Sequence, residues 1–400
     1  MPLKSERPVI EPLQPRLLLA GSTLVPGKPV LPFNPQGNFI TNPGDPFPRP
    51  RAVLGKRGTL EVFGSFENDR IEVNVGWING ANRITVSVNG RERRVRMVDV
   101  KRLTISGDFG DDNISVNDPR GLLGPHRRVS IFGDGGDAGD NDFNTGADTI
   151  AGTAFRDNID AGRGDDKIES YGGSDSIDAG AGNDTVTAGA GNDTIKGGDT
   201  DSPVDINELI GGDGDDSITG GFFKDYIYGG DGNDTLSGFF GDDYISAGAG
   251  NDFVTGHSGF DTLFGSEGDD TIRGDLGDIQ SRQFAPPVPD NADDRIYGGP
   301  GNDSLLGEGG DDLIYGEAGS DTLLGHFGRD NLDGGTGNDY LNGHEDADRI
   351  SGRGGRDLFN LIDLNTPAGQ TDFNPTSDNP NTRPRQATFR SEELPIDVLS

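Results

Sequence analysis

Residues 179–196 read AGAGNDTVTAGAGNDTIK, two copies of one nine-residue unit laid end to end. The same unit can be followed outward in both directions. From Gly152 it runs GTAFRDNID, AGRGDDKIE, SYGGSDSID, and beyond Lys196 it continues to GRGGRDLFN, ending at Asn360. Counting two stretched copies, 197–210 and 274–297, there are 21 repeats. The sixth residue is Asp in 20 of them, the exception being Asn207, and the eighth is apolar in all 21, from Ile159 to Phe359. A register held over about 200 residues identifies a solenoid, because fixed periodicity is the signature of stacked structural units.

The residue types explain the unit. Gly at the first, second and fourth places lets the chain turn with φ > 0. The last three residues leave room only for a short strand, x-apolar-x, whose single inward side chain is the eighth residue. Two units therefore make one flattened coil of turn, strand, turn, strand. Stacked coils give two parallel sheets facing each other across a row of Ile, Leu and Val. The fold class expected is all-β, a parallel β-roll or β-solenoid.

Charge then sets the chemistry. The chain of 400 residues carries 68 Asp plus Glu against 34 Lys plus Arg, a net charge of −34, with 31% hydrophobic residues. Residues 152–360 hold 44 of the acidic and 12 of the basic side chains. A field this negative repels nucleic acid. So thin an apolar row cannot offset the self-repulsion without a bound cation. The repeat offers oxygen donors and no cluster of sulfur or imidazole, which matches Ca²⁺ and its six to eight oxygen ligands better than zinc or copper. There is no cysteine, hence no disulfide.

The unit resembles G-G-x-G-x-D-x-U-x, where U is a large apolar residue: the RTX, or haemolysin-type, calcium-binding nonapeptide, a standard example among β-helix repeats. The resemblance implies that each ion lies between neighbouring turns on one edge of the roll, held by the sixth-place Asp and by turn carbonyls. Carried onto this chain, the metal-binding residues it implies are Asp112, Asp166, Asp175, Asp184, Asp193, Asp216, Asp234, Asp243, Asp252, Asp261, Asp270, Asp294, Asp303, Asp312, Asp321, Asp330, Asp339 and Asp357. Asp112 comes from an earlier copy, GDFGDDNIS at 107–115, while GSFENDRIE at 64–72 matches weakly. Phe155, Phe223 and Asp346 replace the fourth-place Gly, and Asn207 replaces a carboxylate, so the turns that hold them depart from the pattern.

The rest of the chain divides around the repeat. Residues 1–50 contain 12 of the 24 prolines and read as a disordered leader, in which IEPLQPRLLLAG (10–21) resembles the LEPR-XLL sorting motif of bacterial envelope proteins, with Gln14 where Glu is usual. Residues 51–151 read as a β-rich cap with degenerate repeats, 152–360 as the roll, and 361–400 as a polar tail. Within the cap, Asn89-Gly90 signals a hairpin, and Arg91, Arg93, Arg94, Arg96, Lys101 and Arg102 form a basic cluster, read as a solvated face.

No catalytic constellation is legible. There are four histidines and no H-E-x-x-H, and GHSGF at 256–260 is a repeat in register, with Phe260 where a lipase elbow needs Gly. The expected function is calcium binding by a non-enzymatic structural or adhesive protein, extracellular or on the surface of a bacterium, that folds on Ca²⁺. The alternative is an accessory or carbohydrate-active module of a secreted enzyme or toxin system.

Successive turns must alternate between the two edges of the roll. Numbered from Gly152, the even turns begin at residues 161, 179, 197, 220, 238, 256, 274, 307, 325 and 343. Both stretched repeats fall there, as do Phe222, Phe223, Phe239, Phe240, His257, Phe260, His326, Phe327 and His344. The expectation is a continuous aromatic strip on that edge, running through Phe260, open to a surface glycan or a protein partner.

Overall fold

In the computed structural model, residues 50–360 are described, except 56, 66, 109, 125–126, 135–145, 199–204, 276–291 and 345. The leader with its sorting-like motif and the C-terminal tail lie outside the described residues.

The architecture is two long sheets, face to face. One contains the strands Thr59–Ser65, Arg102–Asp108, Arg128–Asp134 and Asp157–Asp160, then every second repeat strand to Leu358–Asn360. The other contains Arg70–Ile78, Asn113–Asn117 and Thr149–Ala151, then the remaining repeat strands to Arg349–Ser351. Within the repeats every pairing is parallel and the register is fixed by the apolar eighth residue: Ile168 lies beside Val186, Val186 beside Leu209, Ile195 beside Ile218. One residue of slip would turn each inward side chain outward.

Each short strand buries one large apolar residue, and the row from Ile159 to Leu341 is at most 2% exposed. Only at the C-terminal end do Ile350 and Phe359 become partly exposed. At the N-terminal end the strands are longer and bury two or three residues each, such as Leu60 and Val62 or Ile71, Val73 and Val75.

Antiparallel strands close the N-terminal end. Arg51–Leu54 pairs antiparallel with the first long strand of one sheet. On the other sheet the hairpin Ala81–Val88 and Arg91–Arg96 extends from Arg70–Ile78, turning at Asn89 and Gly90, both with φ > 0. The Arg93 guanidinium donates to the Ala52 carbonyl, which ties the two end strands together. Arg91, Arg93, Arg94 and Arg96 stand exposed on the edge strand, where charge discourages further strand pairing.

Candidate metal centre

The sixth-place residues form two ladders, one down each edge of the roll. In each, the backbone N–H of an Asp donates to Oδ1 of the Asp one coil further on. On the odd edge, Asp175 donates to Asp193 at 2.7 Å, Asp234 to Asp252 at 2.7 Å and Asp303 to Asp321 at 2.9 Å. On the even edge, Asp225 donates to Asp243 and Asp243 to Asp261, both at 2.8 Å. All 18 Asp residues singled out above belong to these ladders, from Asp112 on the even one to Asp357 at the foot of the odd one. The even ladder also runs back through Asp148 and Asp112 to Asp69, in coils whose spacing in sequence is 36 and 43 residues rather than 18. Asn207 keeps its place in it, accepting from Asp184 and donating to Asp225, each at 2.9 Å.

One carboxylate oxygen is thereby used and the other is not. Oδ2 of Asp112, Asp175, Asp184, Asp193, Asp216, Asp225, Asp234, Asp243, Asp252, Asp270, Asp303, Asp312, Asp321, Asp330 and Asp339 is buried without a hydrogen-bond partner. A buried oxygen left without a donor is costly, and a column of them one coil apart is unstable while every Asp is ionised. Burial raises their pKa, with neighbouring carboxylates adding to it. Asp243 is pushed up to about 9, by burial first and then by Asp261. Asp112 and Asp330 rise to about 8, and Asp216, Asp303 and Asp312 to about 7, with burial the main cause in each.

Hard oxygen donors, buried, anionic and unsatisfied, fit a hard divalent cation. Among the described residues no group of three or more acidic or imidazole side chains is placed to hold a metal by itself. Further oxygen donors stand close by in the main-chain carbonyls of the turns. These are ordered by the fourth-place glycines, most of which take φ > 0, as at Gly232 (137°) and Gly250 (142°). The approach between coils there is close: a methyl group on Gly250 would fall 1.9 Å from the Gly232 carbonyl oxygen.

The sequence matches the RTX calcium-binding nonapeptide repeat over residues 144–201, 205–278 and 290–359, in seven overlapping segments that cover half of the chain. It belongs to that family. The RTX repeat binds calcium, and the two Asp ladders are the part of this chain that carries the family's sixth-place residue. No curated protein matches the chain.

The aromatic rings of the RTX roll form two groups. A row of aromatic rings crosses the outer face of one sheet: Tyr244, Phe264, Tyr297 and Tyr315 follow one another at 5.4, 4.8 and 5.2 Å between centroids, the last two pairs stacked with their planes nearly parallel. Phe264, Tyr297 and Tyr315 hold the ninth place of their repeats, and Tyr244, at the seventh, joins them through its tilt. The rings lie against one another, so Tyr297 has both faces covered.

The even edge gathers its aromatics differently from the expectation. Phe222, Phe239 and Phe240 make mutual ring contacts at 4.6–5.5 Å, and His257 extends the group at 5.8 Å from Phe239. Phe260 makes no ring contact among the described residues and stands 55% exposed. It occupies the fifth place, further round the turn than the second- and third-place rings. Both insertions leave a strand of one sheet (194–196, 271–275) and return to a strand of the other (208–213, 295–300), as the even turns do, so both open on this edge.

Proposed function

We propose that this chain is a secreted or cell-surface structural protein of a bacterium, non-enzymatic and with an adhesive role, whose roll assembles when calcium fills the gaps between sixth-place Asp residues. The observation that carries this reading is the column of buried Oδ2 atoms without hydrogen-bond partners. Those carboxylates destabilise the ionised roll, and a divalent cation between coils supplies the counter-charge and the missing coordination. The 18 Asp residues named from the sequence are the proposed side-chain ligands, with turn carbonyls completing each site.

Export follows from the affinity such sites need. Extracellular calcium modules work at about 0.1–1 mM, whereas cytosolic buffers bind at about 1–10 nM. The folding midpoint of this chain is expected in the extracellular range, so that it travels unfolded and folds outside. A midpoint below about 1 μM would place folding before export and contradict the reading. Cell fractionation of the full chain tests the location directly: recovery in the cytosol alone would oppose it.

The even edge is the side proposed to meet a glycan or protein partner. Its support is the exposed Phe222, Phe239 and Phe260 beside two insertions, since loops and exposed apolar side chains mark binding surfaces. The stacked Tyr and Phe row on the sheet face suits this role less, because its ring faces are spent on each other. Glycan arrays and surface-protein capture, with Phe239→Ala plus Phe240→Ala as control, test it. Binding that the double substitution leaves unchanged would remove this edge from the account.

A further inference from the structure

The two edges of the roll are not equivalent as calcium surfaces, although both carry the Asp ladder. The difference lies in the carbonyl donors. On the odd edge the fourth place is Gly in ten successive turns: 173, 191, 214, 232, 250, 268, 301, 319, 337 and 355. From Gly191 onward, a methyl group on each would fall 1.3–2.2 Å from the carbonyl oxygen of the Gly before it. These carbonyls therefore point along the roll in one unbroken column beside the Asp ladder.

On the even edge the same column exists only in pieces. Gly110, Gly146, Gly164 and Gly182 form one block, Gly241 and Gly259 a second, and Ala292, Gly310 and Gly328 a third. Between them stand the insertion after Gly198, with Asn207 in place of a carboxylate, and the turn Gly220–Asp225. There neither Gly221 nor Phe223 has φ > 0, and Gly241 meets the Phe223 carbonyl carbon at 2.4 Å rather than its oxygen first. The insertion after Asp275 separates the second block from the third. Lys224, Arg329 and Phe260 take the fifth place on this edge, where Asn or Asp stands in most odd turns.

We propose that calcium fills the odd edge as one cooperative row of nine sites, the gaps between those ten turns, while the even edge takes ions only in short, independent blocks. The proposal rests on the calcium reading above and goes beyond it in assigning the row. Each odd-edge ion would share its Asp and its carbonyls with the sites before and after, so that filling one orders the next. An interrupted edge has no such continuity.

The test counts ions by native mass spectrometry on the full chain as calcium is raised, with ellipticity followed in parallel, for the wild type, Asp252→Asn and Asp243→Asn. Asn207 shows that an amide keeps the ladder hydrogen bonds, so both substitutions remove charge with little change of shape. The wild type is expected to take up about nine ions in one steep step, the number of odd-edge gaps. Asp252→Asn, in mid-row, should lower the Hill slope by about half and divide the step; Asp243→Asn should weaken only the separate uptake of its own even-edge block. Equal effects of the two, or the larger effect from Asp243→Asn, would overturn the proposal. Should Asp252→Asn fail to fold at any calcium concentration, the wild-type count decides alone. A first step near nine supports the row, and uptake of about twice that number together, or with no step, overturns it. A chain that takes up no calcium would instead refute the calcium reading itself.

Discussion

The backbone N–H of Asp234 donates to Oδ1 of Asp252, one coil further on, at 2.7 Å, and Oδ2 of Asp252 is left buried without a partner. Oδ1 links one coil to the next. Oδ2 makes the same coils depend on what neutralises it.

Acid should therefore substitute in part for calcium. The pKa of these Asp residues is raised in the roll, to about 6 for Asp234 and Asp252, about 7 for Asp216 and Asp303, and about 9 for Asp243. A pKa higher in the folded than in the unfolded state gives stability that is full below the unfolded carboxylate value and is lost as pH rises through the folded ones. Without calcium, β ellipticity should be strong near pH 4 and fall progressively between about pH 4 and pH 9. A calcium-free chain that gains structure as pH rises would contradict this.

Asp243→Ala should raise the midpoint of calcium uptake by its own even-edge block several-fold more than Asp225→Ala does. Both substitutions remove an Oδ1 that accepts one backbone N–H, from Asp225 and Asn207 respectively, so the loss of hydrogen bonding, about 1 kcal/mol, is shared. They differ in the turn: Gly241 has φ of 128°, whereas Phe223 takes no such conformation. Equal midpoints in parallel calcium titrations would refute the ranking.

Truncating the inner row should weaken the calcium-loaded roll everywhere. Ile245 is fully buried and is the only inward residue of its short strand apart from Ala247. Ile245→Ala is expected to cost about 2–5 kcal/mol, read as a lower denaturant midpoint in saturating calcium. A change below about 1 kcal/mol would mean that the apolar row contributes little once the ions are bound.

Magnesium should not replace calcium. It demands near-ideal octahedral geometry at about 2.0–2.1 Å and gives up water reluctantly, while the donors here are fixed by stacked coils and their carbonyls. Millimolar Mg²⁺ should leave the calcium-free chain unfolded at pH 7.5. Folding in Mg²⁺ to the same ellipticity would show that the sites respond to charge alone.

The roll itself was legible because one apolar residue in nine fixes the register: the pairing of Ile168 with Val186 follows from the spacing alone. The N-terminal coils were harder to see. Asp112 was legible from the copy at 107–115, and Asp69 and Asp148 continue the even ladder on either side of it; the hairpin formed by 81–88 and 91–96 stretches the spacing from Asp69 to Asp112, and the weak match at 64–72 was the only local signal for Asp69. Nor does sequence periodicity show which oxygen of each Asp is satisfied. That depends on the coil-to-coil hydrogen bond, between residues 18 or more apart. The even edge was located by counting turns, yet the contact of Phe239 with His257, in place of Phe260, depends on side-chain direction within the turn.

The most direct test of calcium-dependent assembly is to measure far-UV circular dichroism and hydrodynamic radius of the same sample at pH 7.5, in chelator and then in millimolar Ca²⁺. The account predicts an expanded chain with little β signal in chelator, a compact β-rich one in calcium, and full reversal when chelator is restored. The same spectrum and radius under both conditions would contradict it.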